Sequence, residues 1–241
     1  MRNRIYTLIN ANVYDGTFNM KLQKGVNIEI TNNTITRIGL FPTNSKSKTI
    51  DLQGKFVVPG LINLHVHLPS SGKLRKKKLG DLTKLVNFIT SNALTRQIGL
   101  ALCKPQLKQT INSGVTTIRT VGGLADFDTV LRDKIANGKL LGPRVVAANS
   151  AIGVAGGHMI GTVTNVVNSI EDIHAQIDRL ANEKVDLVKI MITGGVLDGK
   201  EGGKPGRLHM SEEFVKACCD YAHKKGLKVA AHVEGIEGMN I

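Results

Sequence analysis

Apolar and polar positions change their rhythm once along the chain, at Pro59. Before it lie three short mixed runs, "RIYTLINANVYDG", "GVNIEITNNTITRIGL" and "KTIDLQGKFVV". They are rich in β-branched residues and separated by Asn, Gly and Pro, the pattern of short strands joined by turns. "TNNT" (31–34) has the composition of a hairpin turn. After Pro59, short apolar runs alternate with longer segments of helical period. The predicted strands are "LINLHVH" (61–67), "VTTIR" (115–119), "RVVAAN" (144–149), "DLVKIMI" (186–192) and "LKVAAHV" (227–233). Residues 169–182 open on Ser169 in a Ser-x-x-Asp capping pattern and then place Ile173, Ile177 and Leu180 on one helical face. Residues 211–225 open on Ser211 and two glutamates, carry a Phe214, Cys218, Ala222 stripe, and close on Lys224, Lys225 and Gly226. Those are the cap and dipole signals of a complete helix. Strands alternating with helices predict parallel βα units. The expected organisation is a small β unit over 1–56 and an α/β region over 57–241.

Composition narrows this only a little. The 241 residues hold 26 glycines, as short tight loops require, and enough apolar side chains (41%) for a sizeable core. Cys103 stands alone and Cys218 and Cys219 are adjacent. Neither a disulfide framework nor a cysteine zinc site is implied, and a reducing, cytoplasmic location is expected. No run approaches the length of a membrane span, and Asn10, Asn12 and Asp15 interrupt the start, so neither a membrane span nor a signal peptide is expected. Basic residues exceed acidic ones by 13, and "KLRKKK" (73–78) concentrates that charge. Without interleaved aromatics for base stacking it reads first as a solvated loop, which ranks nucleic-acid binding last.

Chemistry enters with the histidines. Side chains at i and i+2 of a strand share a face, so His65 and His67 project together from the end of the first strand after Pro59. Two neutral imidazoles are half of a metal site. Lys189 lies within the apolar "DLVKIMI", where an ammonium must be paired or neutralised. Two solutions stand open. The amine can react with carbon dioxide to give a carbamate, a carboxylate-like ligand able to bridge two cations, or it can pair with Asp186 or Glu183. His232 falls near the end of the next strand. In a parallel sheet all these ends emerge on one side, and that convergence is what a metal site needs.

With these residues in place, "VVPGLINLHVHL", "SGVTTIRTVGG", "GPRVVAANSAIGVAGGH", "DLVKIMITGGV" and "LKVAAHVEG" resemble, in order and spacing, the metal-dependent amidohydrolases of the prolidase-like and imidazolonepropionase-related branch. The resemblance covers nearly the whole chain. It implies a (β/α)8 TIM barrel with a small β-sandwich, of which this chain would supply about five βα units and the N-terminal sandwich part. It implies metal ligands at His65, His67, Lys189 as a carbamate, and His232. One or two divalent ions, most often zinc, would be held there, and a C–N bond in an amide or dipeptide-like small molecule would be hydrolysed by a metal-bound hydroxide. His158 matches a loop histidine after the third strand, read either as a substrate contact or as a plain loop residue.

Three departures qualify the resemblance. Asn63 and Thr120 stand where relatives usually carry aspartates, at positions that orient ligands and typically matter by about 10–100-fold. The chain also stops one turn past "HVEG", before the sixth-strand histidine and the eighth-strand aspartate that shuttles the proton in relatives. The expected catalytic acid therefore lies beyond residue 241. That suggests a truncated or split hydrolase, whose activity by itself is in question. A complementing C-terminal segment or a homo-oligomer would then complete it; the alternative is a catalytically dead remnant that partners an intact homologue. Of the acids near the active side, Asp198, Glu201 and Glu234, only Glu234 is placed to face the way His232 does.

Overall fold

A computed structural model describes residues 4–70, 82–198 and 205–241. "KLRKKK" and Glu201 lie outside the described residues. Two compact units divide at Gly60/Leu61.

The first unit is a single sheet of β1 (Ile5–Val13), β2 (Gln23–Thr31), β3 (Thr34–Gly39), β4 (Lys48–Asp51) and β5 (Phe56–Val57). β1 pairs antiparallel with β2 and parallel with β4 and β5, and β2 pairs antiparallel with β3. Thr31 opposes Thr34, so "TNNT" is the hairpin turn, with Asn32 in the left-handed region at φ 57°. Asparagine tolerates that conformation where β-branched residues do not. Ala11, Val13, Val26 and Ile28 form a small buried cluster on one face.

The second unit carries the βα rhythm. Its strands are β6 (Leu61–Val66), β7 (Val115–Thr120), β8 (Arg144–Val146), β9 (Ala151–Gly153), β10 (Thr164–Val166), β11 (Leu187–Met191) and β12 (Lys228–His232). Its helices are α1 (Thr83–Thr90), α2 (Ala93–Asn112), α3 (Phe127–Ala136), α4 (Ile170–Asn182), α5 (Glu212–Lys224) and α6 (Gly235–Met239). All strand pairs in this unit are parallel, in the orders β6-β7-β8 and β10-β9-β11-β12. These are five βα units of a (β/α) barrel, with β8 and β9 sharing the place of its third strand.

That third strand differs from the uninterrupted run expected over 144–149. Asn149 is fully buried at φ 56°, which breaks the ladder. Its side chain accepts from Thr129 N and donates to Glu183 Oε2, while its carbonyl accepts from Gly123 N. Ala147 continues the junction, accepting from Asp186 N and donating to the Asp186 carboxylate. The break therefore exchanges ladder bonds for a set of side-chain bonds to the flanking units.

Both predicted helices form. Ser169 accepts from Asp172 N and Ser211 from Phe214 N, each at its helix's N-cap. Ile173, Ile177 and Leu180 of α4 meet Cys218 and Ala222 of α5 over Val188 and Ile190 of β11 in one buried cluster. Val215 is buried with them, whereas Phe214 is only partly covered. Phe127, Leu131, Ile118 and Leu107 fill a second cluster between α2, α3 and β7. Among the described residues, no helix is long and apolar enough to cross a membrane.

Candidate functional site

β6 reaches the mouth of the barrel with an irregularity. Its register against β7 slips between Asn63 and Val66, three residues facing two. Arg119 fills the slip by donating from Nε to Leu64 O at 2.9 Å, and Asn63 turns its side chain back to accept from His65 N. His65 is exposed and His67 half-buried, with ring centroids 5.3 Å apart. His67 Nδ1 donates to Gly122 O at 2.9 Å. A carbonyl only accepts, so the ring proton sits on Nδ1 and the Nε2 lone pair is left free, the arrangement typical of metal-binding histidines. A cleft of about 360 Å³ is lined in part by Asn63, His65, His67, Gln106 and Gln109.

Lys189 sits at the centre of β11. Val188 and Ile190 point into the helix-packed cluster, so the alternation of the strand turns Lys189 the other way, into the barrel. It is only 2% exposed. The open alternative of an ion pair is not what forms. Asp186 bonds Arg132 and Ala147 N, and Glu183 bonds Arg179 and Asn149. Among the described residues no carboxylate lies within salt-bridge distance of Lys189. Burial, and next the Arg119 charge, push its amine down to about 8.

His232 ends β12 opposite Met191. Its Nε2 is buried without a hydrogen-bond partner among the described residues, with Glu234 Oε1 at 3.6 Å. Glu234 thus does face the same side. The His232 ring stacks on His158, centroids 4.2 Å apart and planes 16° from parallel. His158 Nδ1 in turn lies 2.8 Å from Asp198 Oδ2. Burial pushes the Asp198 carboxyl up, but the Met159 and Gly195 amides and His158 pull it down further, and it ends below its ordinary value.

The structure therefore brings the four predicted ligand residues and His158 to one mouth. The clearest sign is electrostatic. Burial lowers the pKa of His65, His67 and His232, and each of the three is lowered further by the charge of Lys189. An ammonium facing three imidazoles and an arginine, with no carboxylate within salt-bridge distance of it among the described residues, is a poor arrangement for the charged amine. Free imidazole lone pairs, an orphaned buried Nε2 and an unpaired amine suit a divalent cation instead. Among the described residues, no three His, Cys, Asp or Glu side chains converge tightly enough to hold an ion by themselves. Lys189 would have to contribute.

One residue escaped the sequence reading, and it lies next to Thr120. Thr120, which stands where relatives usually carry an aspartate, accepts from Ala148 N and is fully buried. A carboxyl does lie beside it, that of Asp128 on α3, which is completely buried; among the described residues neither oxygen has a partner at full hydrogen-bond geometry, although Thr120 and the Asn149 backbone lie close enough to offset part of the burial. It packs over Gly123, next to the glycine whose carbonyl holds His67. Burial raises Asp128 to about 6. Neither this contact nor the Asp198–His158 bond leaves a periodic or spacing signal in the sequence.

Comparison with known proteins agrees with this architecture. A model of the amidohydrolase family matches residues 56–241. Among curated proteins, a dihydroorotase from Trichlorobacter lovleyi is 24% identical over 215 residues, covering 88% of this chain and 39% of the relative. Among solved structures, a Xaa-Pro dipeptidase with methionine bound in its active site is 29% identical with a TM-score of 0.78, covering 98% of this chain and 58% of that one. A Bifidobacterium longum protein described as a candidate prolidase is 26% identical with a TM-score of 0.75, covering 98% and 51%. The chain thus spans well under two thirds of the length of each of these relatives.

Proposed function

The chain belongs to the amidohydrolase family, and from that premise we propose that it carries the metal-binding part of a hydrolase for C–N bonds in small amide or dipeptide-like substrates. One observation carries the proposal: the buried Lys189 amine has no carboxylate partner among the described residues and faces three imidazoles that feel its charge. With a pKa near 8, a fraction of that amine is neutral at pH 7 and nucleophilic. Its nitrogen can add to carbon dioxide, releasing one proton and leaving an anionic carbamate. That replaces a badly placed positive charge in the mouth with a negative one.

In this reading His65, His67, His232 and Lys189 as its carbamate would hold one or two divalent ions, zinc by preference. Such ions supply Lewis acidity toward water and toward a carbonyl. The residues of this chain do the rest of what is visible. The Gly122 carbonyl keeps the Nε2 lone pair of His67 available. The low pKa values of the three imidazoles keep them unprotonated near neutrality. Arg119 closes the bulge that sets where His65 emerges. His158, buried against the His232 ring, serves as a substrate contact.

The test uses 13C-bicarbonate and zinc with the chain of 241 residues. A carbamate carbonyl resonance and retained zinc after gel filtration are expected, and both are lost in Lys189→Ala. Absence of the resonance together with absence of bound zinc would overturn the proposal. The Xaa-Pro dipeptidase neighbour makes proline-containing dipeptides the first substrates to assay, and the dihydroorotase relative makes dihydroorotate the second.

A further inference from the structure

Two loops reach the mouth from separate strands, and one carboxylate ties them together. Asp198 ends the short 3-10 turn Val196–Asp198 that follows β11. Its oxygens accept from Gly195 N at 2.6 Å in its own loop, and from Met159 N at 2.9 Å and His158 Nδ1 at 2.8 Å in the loop after β9. The side chain is only 6% exposed, and that of His158 10%. An ionised carboxylate can only accept, so the proton of this pair sits on His158 Nδ1.

The ring has little freedom beyond that bond. One face lies flat on His232. Gly195 packs so closely that a Cβ there would collide with Nδ1 and Cε1. Nε2 is then the one polar atom of the ring without a partner among the described residues. A free histidine side chain has no fixed ring orientation and, when neutral, carries its proton mostly on Nε2; here a carboxylate with two backbone anchors fixes the ring and reverses that preference.

We propose that Asp198 is a positioning residue that imposes the Nδ1-protonated form on His158 and so makes Nε2 the atom this loop presents to a substrate. The functional half of that statement rests on His158 being a substrate contact, as read above. The tautomer itself does not. Asp198 also welds the β9 and β11 loops, so the imidazole keeps its place relative to Lys189 and His232 without help from a ligand.

The experiment is a two-bond 1H–15N correlation spectrum of the metal-free full chain, at a pH where its imidazoles are neutral, with His158→Asn used to assign the ring. The wild type is expected to show His158 protonated on Nδ1. Asp198→Ala should turn the Nε2-protonated form into the major one, while circular dichroism stays that of the wild type. Gly195→Ala attacks the same contact from the other side with the carboxylate intact, and should also deplete the Nδ1-protonated form. It decides the matter if Asp198→Ala does not fold. An unchanged His158 pattern in the folded variants overturns the proposal. Because neither metal nor turnover enters the measurement, a failed zinc and carbamate test leaves this proposal standing, and an unmoved tautomer leaves the hydrolase reading standing.

Discussion

Lys189 shows how much one buried side chain can decide. Its folded-state pKa, near 8, lies below the ordinary lysine value of 10.5. Between those values the unfolded chain binds the proton and the folded chain does not, so stability rises as pH rises through that window. Below pH 8 the folded protein carries the full cost of the buried ammonium, about 3 kcal/mol. Lys189→Met should therefore stabilise the metal-free protein by roughly that amount at pH 7, in buffer free of carbon dioxide, and the gain should shrink to little by pH 10.5. Urea midpoints at the two pH values read this directly, and an equal gain at both would contradict it. Asp128 has the opposite sign. Its carboxyl is raised from 3.8 to about 6, so stability falls as pH rises through that range and the cost is complete above it. Asp128→Asn is expected to stabilise by about 1–3 kcal/mol at pH 8 and to do nothing at pH 3.5. Of these two residues only the first was legible in the sequence, because a lysine inside an apolar strand is anomalous on its face. Asp128 reads as an ordinary acid in the first turn of a helix, and only the packing of α3 against β7 and Gly123 makes it a buried one.

Elements whose signals are local were readable, and those that depend on distant partners were not. Ser169 and Ser211 are caps of the residue type and position that the pattern predicts, and their removal should behave accordingly. Ser169→Ala and Ser211→Ala are each expected to cost about 1 kcal/mol in urea unfolding. The broken third strand carried no such signal. "RVVAAN" has strand composition throughout, and the turn at Asn149 exists only because Thr129, Gly123 and Glu183 are there to bond it. The contact between α2 and α3 is equally hidden. Gly99 in α2 lies against Phe127, where a Cβ would stand 2.5 Å from Cε2 and 2.8 Å from Cζ of a ring that is fully buried. Alanine ordinarily strengthens a helix interior over glycine by up to about 1 kcal/mol. At Gly99 overpacking wins, and Gly99→Ala should lower stability by about 1–3 kcal/mol. A measured stabilisation would mean that α2 and α3 do not approach as described.

At the scale of the whole chain two opposing tendencies meet. β6 and β12 are each one of the two outer strands of a sheet in the second unit, with one paired neighbour among the described residues. On β6 the side chains of Leu61, Ile62 and Leu64 are more than half exposed, and beyond β12 Ile236 and Met239 are more exposed still. Unpaired backbone groups beside exposed apolar side chains are a template for pairing with another copy. Against that stands a formal net charge of +13, which makes copies repel one another. Salt decides between them, because screening at a Debye length of about 10 Å in 0.1 M salt and about 3 Å at 1 M removes the repulsion and leaves apolar contact intact. Self-association should therefore strengthen as salt is raised, the reverse of the salt dependence of polyanion binding. Sedimentation velocity at micromolar concentration, in 50 mM and then 500 mM sodium chloride, is the measurement. A shift from monomer toward larger species is expected at the higher salt, and Ile62→Lys with Leu64→Lys should suppress it. A monomer at both salts, or association that weakens as salt rises, would show that the exposed strand is not the adhesive surface and that charge alone governs how these molecules meet.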